Sequence, residues 1–285
     1  MAGSAAFEEV SPDVGELDAA ALEELLDESP DEALALLADL TRATDARLRE
    51  LAKAIAARLF VDLARIEPPE SRGIGRLVSR PYEPDSGDID LDRSLDPLVQ
   101  ARAAGRLVDS DELVVRAWGK PRVAWCLLVD RSGSMQGEPL ATAALAAAAV
   151  AVRAGDQYAT LSFGRDVIAA KAMWETRSTD DVIDRVLALR GHGTTDVAQA
   201  LRAAGEQLRW ASAERRVTIL LSDCRATEPG DVVAAAGELT ELVIVAPAGD
   251  SVEAEALAGA VGARVTTVEG PSTVVAALSR VLDRG

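Results

Sequence analysis

The sequence of 285 residues predicts an α/β fold, in which a Rossmann-like, mostly parallel sheet with helices on both faces is preceded by a smaller helical region. After Pro121, short runs rich in Val, Ile and Leu alternate with longer runs of helical pattern. The short runs are apolar on both faces, which is typical of strands buried in a parallel sheet. The longer runs provide the helical crossovers that parallel strands require.

Six strands and six helices are predicted in this part of the chain. We expect the strands at 123–130, 158–163, 167–173, 216–223, 242–247 and 263–268. We expect the helices at 138–154, 180–189, 196–210, 231–239, 252–261 and 272–282. Only Gly164 to Asp166 separate the second strand from the third, too few residues for a parallel crossover, so the third is predicted to be an antiparallel edge strand.

The preceding residues predict an acidic helical region over 1–66 and a connector over 67–121, with the α/β domain over 122–285. Ser29, Pro30 and Glu32 form a capping-box pattern, which predicts that a helix begins at Pro30. Asp18 is expected to cap the helix before it, and an amphipathic helix is expected to end near Ile66. The connector breaks periodicity with Pro and Gly, then contains a short helix near 93–106 and an extended piece.

The composition excludes several classes of partner and compartment. A formal net charge of −17 repels nucleic-acid phosphates and anionic lipid surfaces, so neither nucleic acid nor membrane is an expected partner. The two cysteines, Cys126 and Cys224, provide neither a disulfide framework nor a four-cysteine zinc site, which favours the reducing cytoplasm. The first residues show no signal-peptide pattern. The apolar stretch over 139–152 is shorter than the about 20 residues of a membrane span and is predicted to be a buried helix.

Oxygen-bearing side chains follow the predicted strands, at the edge where open α/β sheets bind ligands. The first strand ends in Asp130, followed by Ser132 and Ser134 on alternate residues. A later strand ends in Ser222 and Asp223, and a glycine-flanked loop between them carries Thr194 and Thr195. Two carboxylates with several hydroxyls suit a hard cation, above all Mg²⁺, with Mn²⁺ or Ca²⁺ as substitutes. Because the hydroxyls are neutral, such an ion can accept a further oxygen from the Asp or Glu of a partner.

These residues resemble the metal-ion-dependent adhesion site of a von Willebrand factor type A (VWA) domain, which the sequence matches over about 122–285. The family pattern is Asp-x-Ser-x-Ser after the first strand, a Thr in the middle loop and an Asp at the end of the fourth strand. The resemblance implies an intact metal site in which no residue is catalytic, formed by Asp130, Ser132, Ser134, Thr195 and Asp223. Two departures concern the loops: Cys224 stands where Gly commonly follows the aspartate, and His192 interrupts a loop that is usually richer in glycine.

The segment over 87–107 resembles the lead-in of bacterial CoxE-like and magnesium-chelatase D-like proteins, which work with AAA+ ATPases of the MoxR group. The resemblance implies a non-enzymatic adaptor or co-chaperone that helps such an ATPase to assemble or metallate a client protein. The alternative is a non-ATPase subunit of a magnesium-chelatase-like complex. A set of turn residues and helix caps without metal is a further interpretation of the same polar residues. A hydrolase is disfavoured because the serine lacks the G-x-S-x-G elbow.

Overall fold

The computed structural model describes residues 5–13, 15–66, 76–82, 88–119, 122–133, 135–191 and 193–282. The chain forms two compact units. The larger unit joins Met1–Glu70 to Val123–Gly285, and the smaller unit is Ser71–Arg122. The predicted division into an acidic helical region over 1–66, a connector over 67–121 and an α/β domain over 122–285 stays a prediction.

The amino-terminal part of the larger unit is helical, with α1 (Ala5–Val10), α2 (Ala19–Glu28), α3 (Pro30–Leu40) and α4 (Ala46–Ile66). The Asp18 side chain caps α2 as predicted, because it accepts hydrogen bonds from the backbone N–H groups of Ala20 and Ala21. α3 begins at Pro30 as predicted, but the capping box is wrong, since the Ser29 side chain makes no capping hydrogen bond to a described residue. Ser29 also ends α2, where its N–H donates to the Leu25 carbonyl oxygen.

The described residues of the smaller unit form a three-stranded antiparallel sheet and one α-helix. Its elements are β1 (Arg76–Pro81), β2 (Asp88–Ile89), α5 (Leu91–Ala103) and β3 (Val114–Gly119), and β3 lies between the other two strands. The helix and β3 agree with the predicted helix and extended piece, whereas β1 and β2 were not predicted. β1 ends in Pro81 and β2 has only two residues, so neither shows a clear strand period, and their pairing depends on β3. The buried Asp90 carboxylate, just after β2, accepts hydrogen bonds from Ser79 and Arg116 at 3.0 Å each. These bonds connect β1 and β3 with the start of α5.

The larger unit contains the predicted α/β fold. Its sheet has the strand order β6-β5-β4-β7-β8-β9, and every neighbouring pair is parallel except β5 with β6, which is the antiparallel edge pair that the short connection predicts. The strands and helices are β4 (Val123–Asp130), α6 (Glu138–Ala154), β5 (Tyr158–Phe163), β6 (Val167–Lys171), α7 (Thr179–Leu187), α8 (Val197–Arg209), β7 (Arg215–Leu221), α9 (Val232–Gly237), β8 (Leu242–Pro247), α10 (Val252–Val261), β9 (Arg264–Val268) and α11 (Pro271–Leu282).

The sheet separates two apolar cores because alternate side chains of a strand point to opposite faces. In β4, Leu127 and Val129 enter the core that contains α6, α7 and α11, whereas Cys126 and Leu128 enter the core that contains α8, α9 and α10. Helices therefore cover both faces, as the two-sided apolar strands predict.

A second layer of helices covers the α6 face. The buried side chains of α3 and α4, such as Leu37 and Phe60, belong to the same apolar core as α6. All residues of α6 from Leu140 to Ala151 are buried, which confirms the buried helix predicted at 139–152. None of the described helices is both long enough and apolar enough to cross a membrane.

Candidate metal centre

The first predicted site residue, Asp130, ends β4 at the carboxyl edge of the sheet. Its Oδ1 accepts a hydrogen bond from the Ser132 backbone N–H at 2.8 Å, which turns the chain sharply after the strand. Its Oδ2 accepts a hydrogen bond from the Ser222 hydroxyl at 2.5 Å. Burial raises the pKa of the Asp130 carboxyl, and the negative charge of Asp223 acts in the same direction. A buried carboxylate beside a second negative charge forms a place where a cation is favoured.

The loop after β7 adds Asp223 to this edge of the sheet, because β4 and β7 are parallel neighbours. Ser222 connects the two strand ends, since its hydroxyl donates to Asp130 and accepts from the Cys224 backbone N–H at 2.9 Å.

Cys224 has a φ of 64°, a left-handed conformation that favours glycine. The departure noted in the sequence thus falls at a position whose backbone suits the residue that the family commonly has. Burial, followed by the charges of Asp223 and Asp130, raises the pKa of the Cys224 thiol to about 12.

Asp130, Ser132 and Asp223 line one cavity of about 410 Å³ together with Ser222. Apolar side chains of β4, α6 and β7 form much of its wall, and Glu138 and Glu269 are exposed lining residues. The structure therefore brings together three of the five predicted site residues. Sequence reasoning did not select Ser222, although its position before Asp223 at a strand end was a usable signal.

Thr195 lies in the loop before α8 and is buried, but it is not among the described residues that line the cavity. Its backbone N–H donates to the Thr227 hydroxyl at 2.8 Å, and its carbonyl oxygen accepts from the N–H groups of Thr227 and Glu228. These bonds join the Thr195 loop to the loop that begins at Asp223. At its other end the Thr195 loop meets the first loop, because a Cβ at Gly191 would overlap the Gly133 carbonyl oxygen. The three predicted loops are thus in contact.

The remaining predicted ligand, Ser134, and the loop residue His192 lie outside the described residues. The predicted set of Asp130, Ser132, Ser134, Thr195 and Asp223 therefore stays a prediction as a set.

The donors present suit a hard cation. Within the described ranges there is no group of three or more His, Cys, Asp or Glu side chains that could hold a metal, so hydroxyls would have to complete the two carboxylates. The Thr195 hydroxyl is buried and has no hydrogen-bond partner among the described residues, which leaves its oxygen free to act as a ligand. The hydroxyls of Thr160 and Thr218 are in the same state, but they lie within β5 and β7 rather than at the carboxyl edge.

Several solved structures resemble part of the chain. Proximal thread matrix protein 1 from the mussel byssus is 16% identical with a TM-score of 0.46, and the match covers 57% of this chain and 47% of that one. A von Willebrand factor type A protein from Catenulispora acidiphila is 17% identical with a TM-score of 0.45, covering 60% and 44%. A D319A mutant of the PilB minor pilin from Streptococcus sanguinis is 11% identical with a TM-score of 0.46, covering 60% and 64%. This chain spans less than half the length of the first two.

No curated protein matches the chain. A family model described as "VWA domain containing CoxE-like protein" matches residues 63–247. The match includes the smaller unit, the strand β4 that ends at Asp130 and the loop that carries Asp223, so it begins well before the region in which the sequence resembles a VWA domain. Because the matched range covers more than half of the chain, this protein belongs to the family of CoxE-like proteins that contain a VWA domain.

Proposed function

We propose that this chain is a Mg²⁺-dependent protein interaction module. The observation that carries the proposal is the meeting of Asp130, Ser132 and Asp223 at one cavity. The adjoining loop buries the Thr195 hydroxyl, which has no hydrogen-bond partner among the described residues. Asp130, Ser132, Ser134, Thr195 and Asp223 would hold the ion. Bound Mg²⁺ would supply an electrophilic centre for a carboxylate of a partner protein.

The residues around the ion determine how it would be presented. Ser222 holds the Asp130 carboxylate at Oδ2 and the Ser132 N–H holds it at Oδ1, so the Asp130 carboxylate is fixed in orientation. Without a cation, the carboxylates of Asp130 and Asp223 and the nearby Glu138 and Glu269 repel an acidic partner. We therefore expect binding of an acidic side chain to depend on the metal.

The partner that we propose is a MoxR-type AAA+ ATPase or its client, with the chain acting as a non-catalytic adaptor in the assembly or metallation of that client in the cytoplasm. The family to which the chain belongs supports this choice. Mn²⁺ or Ca²⁺ would replace Mg²⁺ in vitro, because ligands of this type select weakly among hard cations.

Calorimetric titration with Mg²⁺ and Mn²⁺ tests the site directly. We expect wild type to bind and Asp130→Ala not to bind, with circular dichroism showing that both are folded. Asp156→Ala is the matched control, because it removes the same charge just before β5, at the opposite edge of the sheet, and it should bind as wild type does. Loss of binding in both variants, or in neither, would contradict the proposed site.

The partner is tested with the purified chain immobilised and a purified MoxR-type ATPase in solution. We expect retention in Mg²⁺, loss in EDTA and loss with Asp130→Ala. Equal affinity with and without Mg²⁺ would contradict the proposed function.

A further inference from the structure

Helix α3 contacts the loop that carries Ser132. The Gly137 backbone N–H, at the start of α6, donates to Asp39 Oδ1 at 2.8 Å. Arg42, just after α3, donates from Nη1 to the Met135 carbonyl oxygen at 2.5 Å. At the other end of the helix, Asp31 Oδ1 accepts from the Ser272 backbone N–H in the first turn of α11 at 2.7 Å. Met135 and Gly270 both line the cavity beside Asp130. The helix α3 therefore contacts two segments that border this cavity, the loop before α6 through Asp39 and the start of α11 through Asp31.

The contacts with α3 restrain the far end of the loop, whereas contacts with the strands restrain its beginning. The beginning of the loop is fixed, because the Arg131 N–H donates to the Phe163 carbonyl oxygen at 2.8 Å and the Ser132 N–H donates to Asp130. Its far end enters α6 through Gly137, which has a φ of 58° and no capping side chain of its own. Asp39, on a different helix, therefore accepts from the N–H of the N-cap residue, the donor that a Glu at the third helical position accepts from in a capping box.

The position of α3 is itself fixed by packing. Leu34 and Leu37 are 1% and 0% exposed and lie in the same apolar core as α6. The small residues of α6 allow a close approach, and a Cβ at Gly137 would stand 3.8 Å from the Ala35 Cβ. Because a packed helix moves little, Asp39 and Arg42 reach the loop from a rigid support.

We infer that Asp39 and Arg42 are positioning residues of the metal site, and that the amino-terminal helices thereby form part of it. They hold Met135 and Gly137, and so restrain the far end of the loop that carries Ser132. The expected change in metal affinity rests on the proposed function. Groups that orient the ligands of a metal change its affinity by about 10- to 100-fold when removed, and we expect Asp39→Ala to lower Mn²⁺ affinity by about tenfold.

The test compares Asp39→Ala, Asp39→Asn and Glu32→Ala in the full chain. Asparagine keeps an oxygen acceptor for the Gly137 N–H, so Asp39→Asn should retain most of the Mn²⁺ affinity. Glu32 is exposed on the same helix, and its substitution should have no effect on affinity. Hydrogen exchange without metal adds a second readout: we expect the Gly137 amide to exchange faster in Asp39→Ala alone, while the core amides of β4 stay protected.

Wild-type exchange at Gly137 and wild-type Mn²⁺ affinity in Asp39→Ala would overturn the inference, as would an equal loss in Glu32→Ala. If wild type binds no Mn²⁺, the proposed function fails, and the exchange measurement still decides whether α3 restrains the loop. Arg42→Ala provides an independent variant in case Asp39→Ala does not fold, with the same expected loss of affinity.

Discussion

The two faces of the six-stranded sheet are covered to different depths. On one face α6 lies between the sheet and a second layer formed by α3 and α4, and its buried residues run without interruption from Leu140 to Ala151. On the other face α8 is the outer surface, and it exposes charged residues such as Arg202 and Glu206 between its apolar positions. The composition of α6 and of α8 therefore agrees with the number of helical layers outside each of them.

The same difference applies to the candidate metal centre. The loop that leads into α6 is held by hydrogen bonds from the second layer, through Asp39 and Arg42. The Thr195 and Asp223 loops are joined to each other through Thr227 and Glu228. One part of the site thus depends on the amino-terminal helices, and the other part depends on contacts within the α/β domain.

The largest expected effect comes from removing a large side chain of the second layer. Phe60 in α4 is fully buried, and Phe60→Ala should lower the free energy of unfolding of the larger unit by about 3–5 kcal/mol, the usual cost of such a cavity. Leu51→Ala, on the same helix at a position that is 40% exposed, is the control and should cost less than about 1 kcal/mol. Urea denaturation followed by circular dichroism measures both. A separate early transition for the helices, with the main transition unchanged, would contradict the single packed unit.

A smaller effect on stability, but a clear effect on binding, is expected at Thr195. Thr195→Val removes a buried hydroxyl that has no partner among the described residues, so the free energy of unfolding should change by less than about 1 kcal/mol. The affinity for Mg²⁺ should fall by at least about tenfold if the hydroxyl helps to hold the ion. Thr218→Val removes an equivalent buried hydroxyl within β7 and should leave the affinity unchanged. Equal Mg²⁺ affinities in the two variants would exclude Thr195 from the metal site.

The smallest effect is expected at Cys224. A left-handed conformation costs a residue with a side chain about 1–2 kcal/mol, and glycine gains about 0.4–1 kcal/mol of freedom in the unfolded chain. Cys224→Gly should therefore raise the free energy of unfolding by about 1 kcal/mol or less. Cys224→Ala keeps the unfavourable φ of 64° and loses the buried sulfur, so it should be less stable than wild type. Thermal unfolding of the three proteins gives the order, and an alanine variant more stable than the glycine variant would be inconsistent with a strained backbone.

The elements of the large sheet were predictable because each is defined by its own residues. The bounds of β4, α6 and α10 agree with the pattern of apolar residues, and the short Gly164–Asp166 connection was enough to make β6 antiparallel. The hydrogen bond between Asp39 and Gly137 was not predictable, since it joins residues 98 apart in sequence and no local sequence pattern indicates it. β1 and β2 were missed because their strand character depends on pairing with β3.

The candidate site was predictable in part for the same reason. Strand ends follow from the apolar runs, so the order of residues alone is enough to place Asp130 and Asp223 at one edge of the sheet. The role of Ser222 depends on the distance between two strand ends, which the sequence does not contain. The left-handed backbone at Cys224 is likewise a property of the folded loop.

The most direct test of the metal centre is a crystal of the full chain grown with Mn²⁺ and measured for anomalous scattering. We predict one strong anomalous peak beside the carboxylates of Asp130 and Asp223, close to the Ser132 and Thr195 hydroxyls, and no such peak in crystals of Asp130→Ala. A wild-type crystal with no peak at this edge of the sheet, or with its strongest peak elsewhere, would contradict the account.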